Sequence, residues 1–429
     1  MNVPEEVRDS AVRCLRCSMC KWIPQVQIKS QKFAGICPSV DHFNFHTYSG
    51  GGKLLVARSM LAGRLDPKSL PPDELEEFLK VVYGCTLCGG CDVACKYLNS
   101  LEPLEASQAL REMAVEEGLG PLPAHQRFAD NVARVHNPYG EPHEDRLAWL
   151  PDDVELTPGA RLVYFVGCTS SYRRKEIAAA TARVLKAAGV EFDALGGEEF
   201  CCGSPLLRVG HRERFLEVAK HNLEALKQRK VKTVVASCAG CYSAFKAEYP
   251  RLAGKYGFKI LHTTEFFELL LRRGKLRLTN PVRARVTYHD PCHLGRGSEP
   301  YGKRKFRLRV KVRGLVRVEV PPKPLRRGER GVYDPPREVL RQIPGVELVE
   351  MERAREYAYC CGAGGGVKAA FPGFAEATGA RRLEEAEATG AEVLASACPF
   401  CATNLSDAIA SRGSSLRFAD VSQLLERAL

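Results

Sequence analysis

Eighteen cysteines in 429 residues constrain this chain more than any other feature, because they fall into four groups with none left over. Cys14, Cys17, Cys20 and Cys37 form the first group, and Cys85, Cys88, Cys91 and Cys95 the second. Cys168, Cys201, Cys202, Cys238 and Cys241 form the third; Cys292, Cys360, Cys361, Cys398 and Cys401 form the fourth. The pairs 201–202 and 360–361 are each followed by glycine. A bridge between adjacent cysteines would close a strained ring far from relaxed disulfide geometry. The opening MNVPEEVRDSAVRC lacks the apolar stretch of a secretory signal, and no run approaches the ~18 apolar residues that span a bilayer. The expectation is a soluble cytoplasmic protein, where thiols stay reduced. Metal or cluster ligation is then the reading that spacing must test.

The run C-x2-C-x2-C-x3-C at 85–95 is the ligand pattern of a bacterial-type 4Fe–4S ferredoxin. Two-residue gaps let one turning loop aim three thiolates at three corners of a cube. In two-cluster ferredoxins the fourth cysteine serves the other cluster. By that logic Cys85, Cys88, Cys91 and Cys37 hold one cubane, and Cys14, Cys17, Cys20 and Cys95 hold another. A structural zinc needs four ligands in two pairs and leaves the third cysteine of each triplet without a role. Two departures stand out. Sixteen residues separate Cys20 from Cys37 where three are usual, and Lys96, not proline, follows Cys95. Lys21, Lys29 and Lys32 in the long gap either touch a partner or are simply solvated.

Residues 1–118 read as helices and loops, with helical periodicity over 73–84 and 104–118. Residues 119–154 are Pro-rich and polar, a linker or a packed arm. Beyond 160, apolar strands such as RLVYFVG (161–167), EFDAL (191–195) and TVVAS (233–237) alternate with helices such as 175–189 and 213–228. That alternation predicts parallel-sheet α/β units. RVTYHD (285–290), the helix ARRLEEAEATG (380–390) and AEVLAS (391–396) repeat the order, and VVASCAGC (234–241) matches VLASACPFC (393–401). The expected fold is therefore α+β and multidomain: an α-helical ferredoxin-like domain, then two copies of an α/β module at 155–280 and 281–429. In both copies cysteines fall at predicted strand ends, where open parallel sheets gather ligands.

The third group, C-x32-CC-x35-C-x2-C, is similar to the CCG or cysteine-rich domain, whose pattern is C-x31–39-CC-x35–36-C-x2-C. The fourth, C-x67-CC-x36-C-x2-C, fits after its first gap is shortened by about thirty residues. Residues 302–330 account for most of that excess, sitting between YHDPCHLGR (288–296) and GVYDPPREVLRQIPGVELVEM (331–351) like an insertion. Two cubane motifs followed by two CCG domains resemble the D subunit of heterodisulfide reductases. The same layout occurs in iron–sulfur subunits of glycolate oxidase, lactate utilisation and anaerobic glycerol-3-phosphate dehydrogenase, and NPYGEPHEDRLAWL (137–150) is similar to those partners. A cubane uses four thiolates, and the resemblance implies that the fifth permits an opened, non-cubane 4Fe–4S centre with an exposed iron that binds a substrate sulfur. Two such centres facing each other would each give one electron to a disulfide. The resemblance leaves zinc or a simpler cluster as the alternative in one copy.

Two functions follow from this resemblance. One is a heterodisulfide-reductase-like enzyme that takes electrons through two cubanes and reduces a disulfide. The other is an electron-transfer subunit of an FAD-linked 2-hydroxyacid (glycolate or lactate) dehydrogenase. A zinc-bound scaffold is hard to reconcile with the triplets. The chain has no flavin or nicotinamide fingerprint, so either reading needs a flavoprotein or membrane cytochrome b partner, with a small-molecule disulfide or electron donor. Peripheral attachment to the inner face of a membrane is compatible with both.

His289, Asp290 and His293 flank Cys292; His293 is the candidate proton donor to a released thiolate, against a purely structural role for all three. Gly203 and Gly362 are expected to permit a turn and close approach to a cluster. AGGG at 363–366 lacks the context of a phosphate loop and reads as cluster packing. The net charge of +12 is local: residues 302–330 hold twelve Lys or Arg against two Glu. Within them Phe306, Leu308, Val310 and Val312 alternate with Arg307, Arg309, Lys311 and Arg313, the pattern of a β-hairpin with one basic face. It is a partner-docking arm or a solvated, aggregation-blocking edge. No motif supports nucleic-acid binding.

Overall fold

Proline at the first helical position, where the missing N–H costs nothing, starts several helices of the N-terminal region. The structure, a computed structural model, describes residues 5–301, 307–311, 316–320 and 326–429. Its helices are α1 (Glu5–Arg13), α2 (Pro38–Phe43), α3 (Gly50–Leu61), α4 (Pro72–Tyr83), α5 (Gly90–Leu98) and α6 (Pro103–Glu116). Asp73 and Glu74 favour the positive end of α4. Val7, Leu54, Val82 and Leu110 close the core between them. The 119–154 segment is a packed arm. Its helix α7 (Pro123–Val135) is followed by buried Asn137, Arg146 and Trp149.

The first α/β module runs β1 (Leu162–Phe165), α8 (Cys168–Tyr172), α9 (Lys175–Ala187), α10 (Ser204–Arg208), α11 (Arg212–Gln228), β2 (Thr233–Ala236) and α12 (Ala239–Ser243). A short α13 (Tyr249–Leu252), β3 (Lys259–His262) and α14 (Thr263–Arg272) complete it. Its sheet is parallel, in the order β1-β2-β3. The second module begins with β4 (Ala284–His289) and carries a separate antiparallel pair, β5 (Arg307–Lys311) and β6 (Val316–Val320), with Arg309 opposite Val318. Phe306, Val312 and Arg313 of the expected hairpin lie outside the described residues. The module continues with α15 (Asp334–Gln342), β7 (Val346–Val349), α16 (Val367–Ala370), α17 (Pro372–Glu387), β8 (Val393–Ser396), α18 (Pro399–Arg412), β9 (Arg417–Asp420) and α19 (Val421–Ala428). Its parallel sheet has the order β7-β4-β8-β9.

The two sheets share one plan, with one correction. The expected strand EFDAL makes only a single-residue bridge, Asp193 to Val163, at the edge where the second module places β7. The Asp193 carboxylate accepts from Gly159 and Ala194 backbone N–H groups and from Arg229, so the chain turns there into Gly196 rather than extending.

Three parts of the chain meet at Arg111 on α6, which is fully buried. Its guanidinium donates to the carbonyls of Val82 (3.2 Å), Tyr83 (3.0 Å) and Cys85 (2.7 Å), to Arg208 of the first module (2.7 Å) and to Gly365 of the second (2.7 Å). The AGGG run makes this approach sterically feasible. A Cβ at Gly365 would lie 2.5 Å from the Cys85 carbonyl, and one at Gly366 2.5 Å from His125 Nε2. The run therefore packs on the loop of the second cysteine group. The long Cys20–Cys37 gap also docks on the second module: Lys29 and Ser30 N–H groups donate to Glu352 at 2.6 and 2.5 Å, and Arg353 donates to Gly35 O at 2.7 Å. Arg111→Met would strand five buried carbonyls, so calorimetry should show a loss of at least about 3 kcal/mol and a split unfolding transition. Arg111→Lys, with three donors in place of five, should fall between.

Candidate metal centres

The fold gathers the eighteen cysteines into four sets. Cys14 and Cys17 act on the Cys20 thiol, and Cys20 and Cys17 act on Cys95, so Cys95 joins the first triplet. Cys37 joins the second triplet: burial, and after it the charge of Cys85, push its thiol up to about 12, and Cys88 adds to this. Both sets share the start of α3. Gly51 N–H donates to Cys20 Sγ at 3.2 Å, while a Cβ on Gly50 would sit 3.1 Å from Cys91 Sγ and 2.8 Å from its Cβ. The run GGG at 50–52 is the sequence signal for this bare helix end, and cysteine spacing alone does not point to it.

In the two modules, cysteines lie where strands give way to helices, as the alternation predicts. Cys168 begins α8, Cys238 caps α12 and Cys398 caps α18, each within three residues of its strand. Cys201 bonds Cys168 and Cys202, and Cys202 bonds Cys241. Cys360 bonds Cys292 and Cys361, and Cys361 bonds Cys401. Gly167, at φ +76°, is required here: a Cβ would stand 2.8 Å from Cys241 Sγ. Gly203 and Gly362 both have positive φ and turn the chain, as expected, and Gly362 N–H donates to Cys360 Sγ at 3.3 Å. Their Cβ positions are closed by the neighbouring helices: a Cβ on Gly203 would strike Phe215 of α11 (2.7 Å), and one on Gly362 the Ala375 carbonyl of α17 (2.5 Å).

Two contacts join the sets into one line. The free thiols of Cys88 and Cys360 lie within hydrogen-bonding reach of each other, linking the second N-terminal set to the second module. Those of Cys238 and Cys398 do likewise, linking the two modules. Spacing alone gives no sign of either.

Polar groups around the thiols are specific. Arg146, from the arm, donates to Cys168 Sγ at 3.3 Å and to Glu199 Oε1 at 2.6 Å; Glu199 in turn accepts from Val166 and Gly167 N–H groups. The sequence pattern around Arg146 assigns it no such role. Asp290 is structural, held bidentately by Arg337 at 2.7 and 2.8 Å and by Arg355 N–H. A ring nitrogen of His289 lies within 4.8 Å of Cys361 and Cys401 sulfurs. Its Nδ1 accepts from Arg382 Nε at 3.0 Å, and an arginine N–H can only donate. The neutral ring proton therefore sits on Nε2, which has no protein partner and is buried. Burial, reinforced by Arg382, pushes the ring pKa down to about 3, so it stays neutral. His293 is half-buried, but its Nε2 is likewise enclosed and unpartnered, and desolvation and Arg208 push its pKa down to about 3.

The modules differ at one equivalent position. His262 ends β3 and caps α14; Asp420 ends β9 and caps α19, each in a reciprocal capping box. Each leaves one buried atom unpartnered, His262 Nε2 and Asp420 Oδ2. Burial lowers His262 to about 4 and raises Asp420 to about 7, and the charge of Cys398 bears on both.

An all-sulfur donor set, N–H groups directed at sulfur and glycines pressed on Sγ atoms fit iron–sulfur ligation. The cysteine-rich CCG domain model matches residues 162–246 and 325–406. The second match begins inside the 302–330 block, beyond Cys292. Fold and sites together define an iron–sulfur oxidoreductase built on a double cysteine-rich module. The chain is 39% identical over 421 residues to the D subunit of the dihydromethanophenazine:CoB–CoM heterodisulfide reductase of Methanosarcina barkeri, covering 97% of this chain and 93% of the relative. It is 33% identical to the B subunit of the fumarate reductase (CoM/CoB) of Methanothermobacter marburgensis over 83% of this chain and 64% of that one. It is 30% identical to the EtfAB:quinone oxidoreductase of Syntrophomonas wolfei, over 82% and 47%. The chain belongs to the family of the heterodisulfide reductase D subunits. Among the described residues no helix is long and apolar enough to cross a membrane.

The line of sets has a direct chemical check. Metal-free, reduced protein treated with a mild thiol oxidant should yield Cys238–Cys398 and Cys88–Cys360 disulfides in peptide mass spectra, beside pairs within each set. Cys398→Ser should remove the first and leave the second. Pairs confined within sets would mean that the modules do not face each other.

Proposed function

We propose that this protein reduces a small-molecule disulfide to two thiols, with electrons drawn from a flavoprotein or cytochrome b partner. The observation that carries this reading is the unbroken order of thiol sets, joined at Cys88–Cys360 and at Cys238–Cys398. In this reading Cys14, Cys17, Cys20 and Cys95 hold one 4Fe–4S cubane, and Cys37, Cys85, Cys88 and Cys91 hold a second. Cys168, Cys201, Cys202, Cys238 and Cys241 hold a third, non-cubane centre, and Cys292, Cys360, Cys361, Cys398 and Cys401 a fourth, with zinc the alternative in one module. When bound, these clusters supply one-electron chemistry, and the two module centres together match the two electrons that a disulfide accepts.

The balance is one disulfide, two electrons and two protons in, two thiols out. Burial of both module sites keeps water from a nascent thiolate. His289 Nε2–H and Arg146 offer hydrogen bonds to sulfur, one in each module, and stabilise negative charge there. His293 remains the proposed proton donor. Its pKa near 3 must rise for that role, and a negative sulfur formed beside Cys398 acts in that direction. The rival electron-relay reading needs no substrate contact at the modules.

Metal analysis and electron paramagnetic resonance separate the two. The proposal expects about sixteen iron atoms per chain and a new paramagnetic signal when a thiol is added to oxidised protein. About eight irons with zinc, and no response to thiol, would leave an electron relay.

A further inference from the structure

Among the described residues, the large apolar side chains left exposed are Val12, Leu15, Trp22, Val26, Phe45 and Tyr97, each between 48% and 77% accessible. They are not scattered. Val12 and Leu15 flank Cys14, Trp22 follows Cys20 by two residues, and Tyr97 follows Cys95 by two. Val26 lies in the same gap loop, and Phe45 precedes His46, which lies beside Cys20 across Gly51. All six therefore surround one thiol set. That set also holds Cys17, the one cysteine of the eighteen that is exposed. Isolated surface apolar residues need no explanation, but a group gathered on one redox site does.

The rim of this patch is cationic. Arg13, Arg16, Lys29 and Lys32 are exposed around it; Arg13 pairs with Asp9 at 2.8 Å, and Glu352 accepts from the Lys29 backbone N–H. The basic 302–330 segment is rooted next to it. Its last residues return to the body at Arg326, whose carbonyl accepts from Lys96 Nζ at 2.7 Å, immediately after Cys95. Gly328 packs on Val93 of α5, and Tyr357 lies close to both Tyr97 and Arg327. Thus the described root of the basic segment, Arg326 and Arg327, lies beside Cys95 and Tyr97, on the same thiol set as the exposed apolar group.

We propose that this face, apolar around Cys17 and basic at its rim, is the docking surface for an acidic one-electron-carrier protein. The inference rests on the reading of the N-terminal sets as the point of electron input. Aromatic and aliphatic side chains inside a charged rim are the make-up of a protein interface, and the rim cations Arg16, Lys29 and Lys32 would steer an acidic partner toward Cys17. A lipid surface also suits apolar and basic groups, but four of the six residues lie outside the α-helices and the other two, Val12 and Tyr97, lie on different ones, α1 and α5, so no single amphipathic helix presents them. A partner that must reach a thiol ligand accounts for their placement; a membrane does not.

Biolayer interferometry of the cluster-loaded protein with a small acidic 4Fe–4S ferredoxin as probe tests the surface. Leu15→Ser with Val26→Ser, and separately Lys29→Glu with Lys32→Glu, should each weaken binding at least about tenfold. Raising salt from about 50 to about 300 mM should weaken the wild-type complex. Lys29→Gln with Lys32→Gln, which removes both charges without setting a new carboxylate against Glu352, decides the matter if either pair loses its paramagnetic signal. Wild-type affinity in the charge variant, or binding indifferent to salt, would overturn the proposal. So would variants that keep the ferredoxin yet lose binding to phosphatidylcholine vesicles with about 30% phosphatidylglycerol, which would assign the face to a membrane. Ferredoxin that binds through this face without reducing the protein in stopped flow would fail the electron-input reading and leave the docking surface standing.

Discussion

A single buried guanidinium fixes where the four thiol sets stand relative to one another. Arg111 uses all five of its N–H groups on carbonyls from the N-terminal helices and from both modules. Carbonyl groups cannot move away from such a donor without leaving it or themselves unpaired in the interior. One acceptor is Cys85 O, on the loop whose Cys88 meets Cys360, and another is Arg208 O, seven residues beyond Cys201. A second arginine repeats the device: Arg296 donates to Cys88 O and to the carbonyls of Glu356 and Ala358, just ahead of Cys360. Arginine's rigid fork suits this better than lysine's single point charge. The order of the sets follows from these clamps and not from the cysteines alone.

Much of this was legible in sequence, and the physical reason is spacing. A two-residue gap between cysteines fixes which thiols converge, so the exchange of Cys37 and Cys95 between triplets followed from the pattern and is what the fold brings together. Strand–helix alternation likewise put Cys168, Cys238 and Cys398 at strand ends. What spacing cannot encode is contact between units. Cys88–Cys360 and Cys238–Cys398 arise from packing of surfaces distant in sequence. Several finer contacts share that origin: Gly203 and Gly362 leave space to helices, AGGG packs on the Cys85 loop, and Lys96, standing where proline is usual, is buried against Glu102. A lone histidine at a strand end, such as His262, carries no sequence signal at all.

The modules are copies in topology but not in chemistry. Equivalent helix caps are His262 in one and Asp420 in the other, and burial drives their pKa values in opposite directions. Arg146 reaches Cys168 in the first module, whereas His289, oriented by Arg382, faces Cys361 and Cys401 in the second. The first module thus brings a guanidinium N–H directly onto a thiol sulfur, whereas the second adds a neutral ring to the cation of Arg296, which lies near Cys292 and Cys360. Positive charge favours the reduced, more negative state of a nearby centre more strongly than a neutral N–H does.

The insertion belongs to the same asymmetry. It interrupts the module that touches the N-terminal sets, not the one at the far end of the line. Its flanks are tied down on α6 and α5: Tyr301 donates to Glu105 at 2.7 Å, and Lys96 holds the Arg326 carbonyl. Tyr301 is also packed between the guanidinium groups of Arg251 and Arg326, each 4.1 Å from its ring centre. Both described roots of the segment are thus held on helices that carry or follow the second cysteine group, so Arg326 keeps its place beside Lys96 and Cys95 however the rest of the insertion lies.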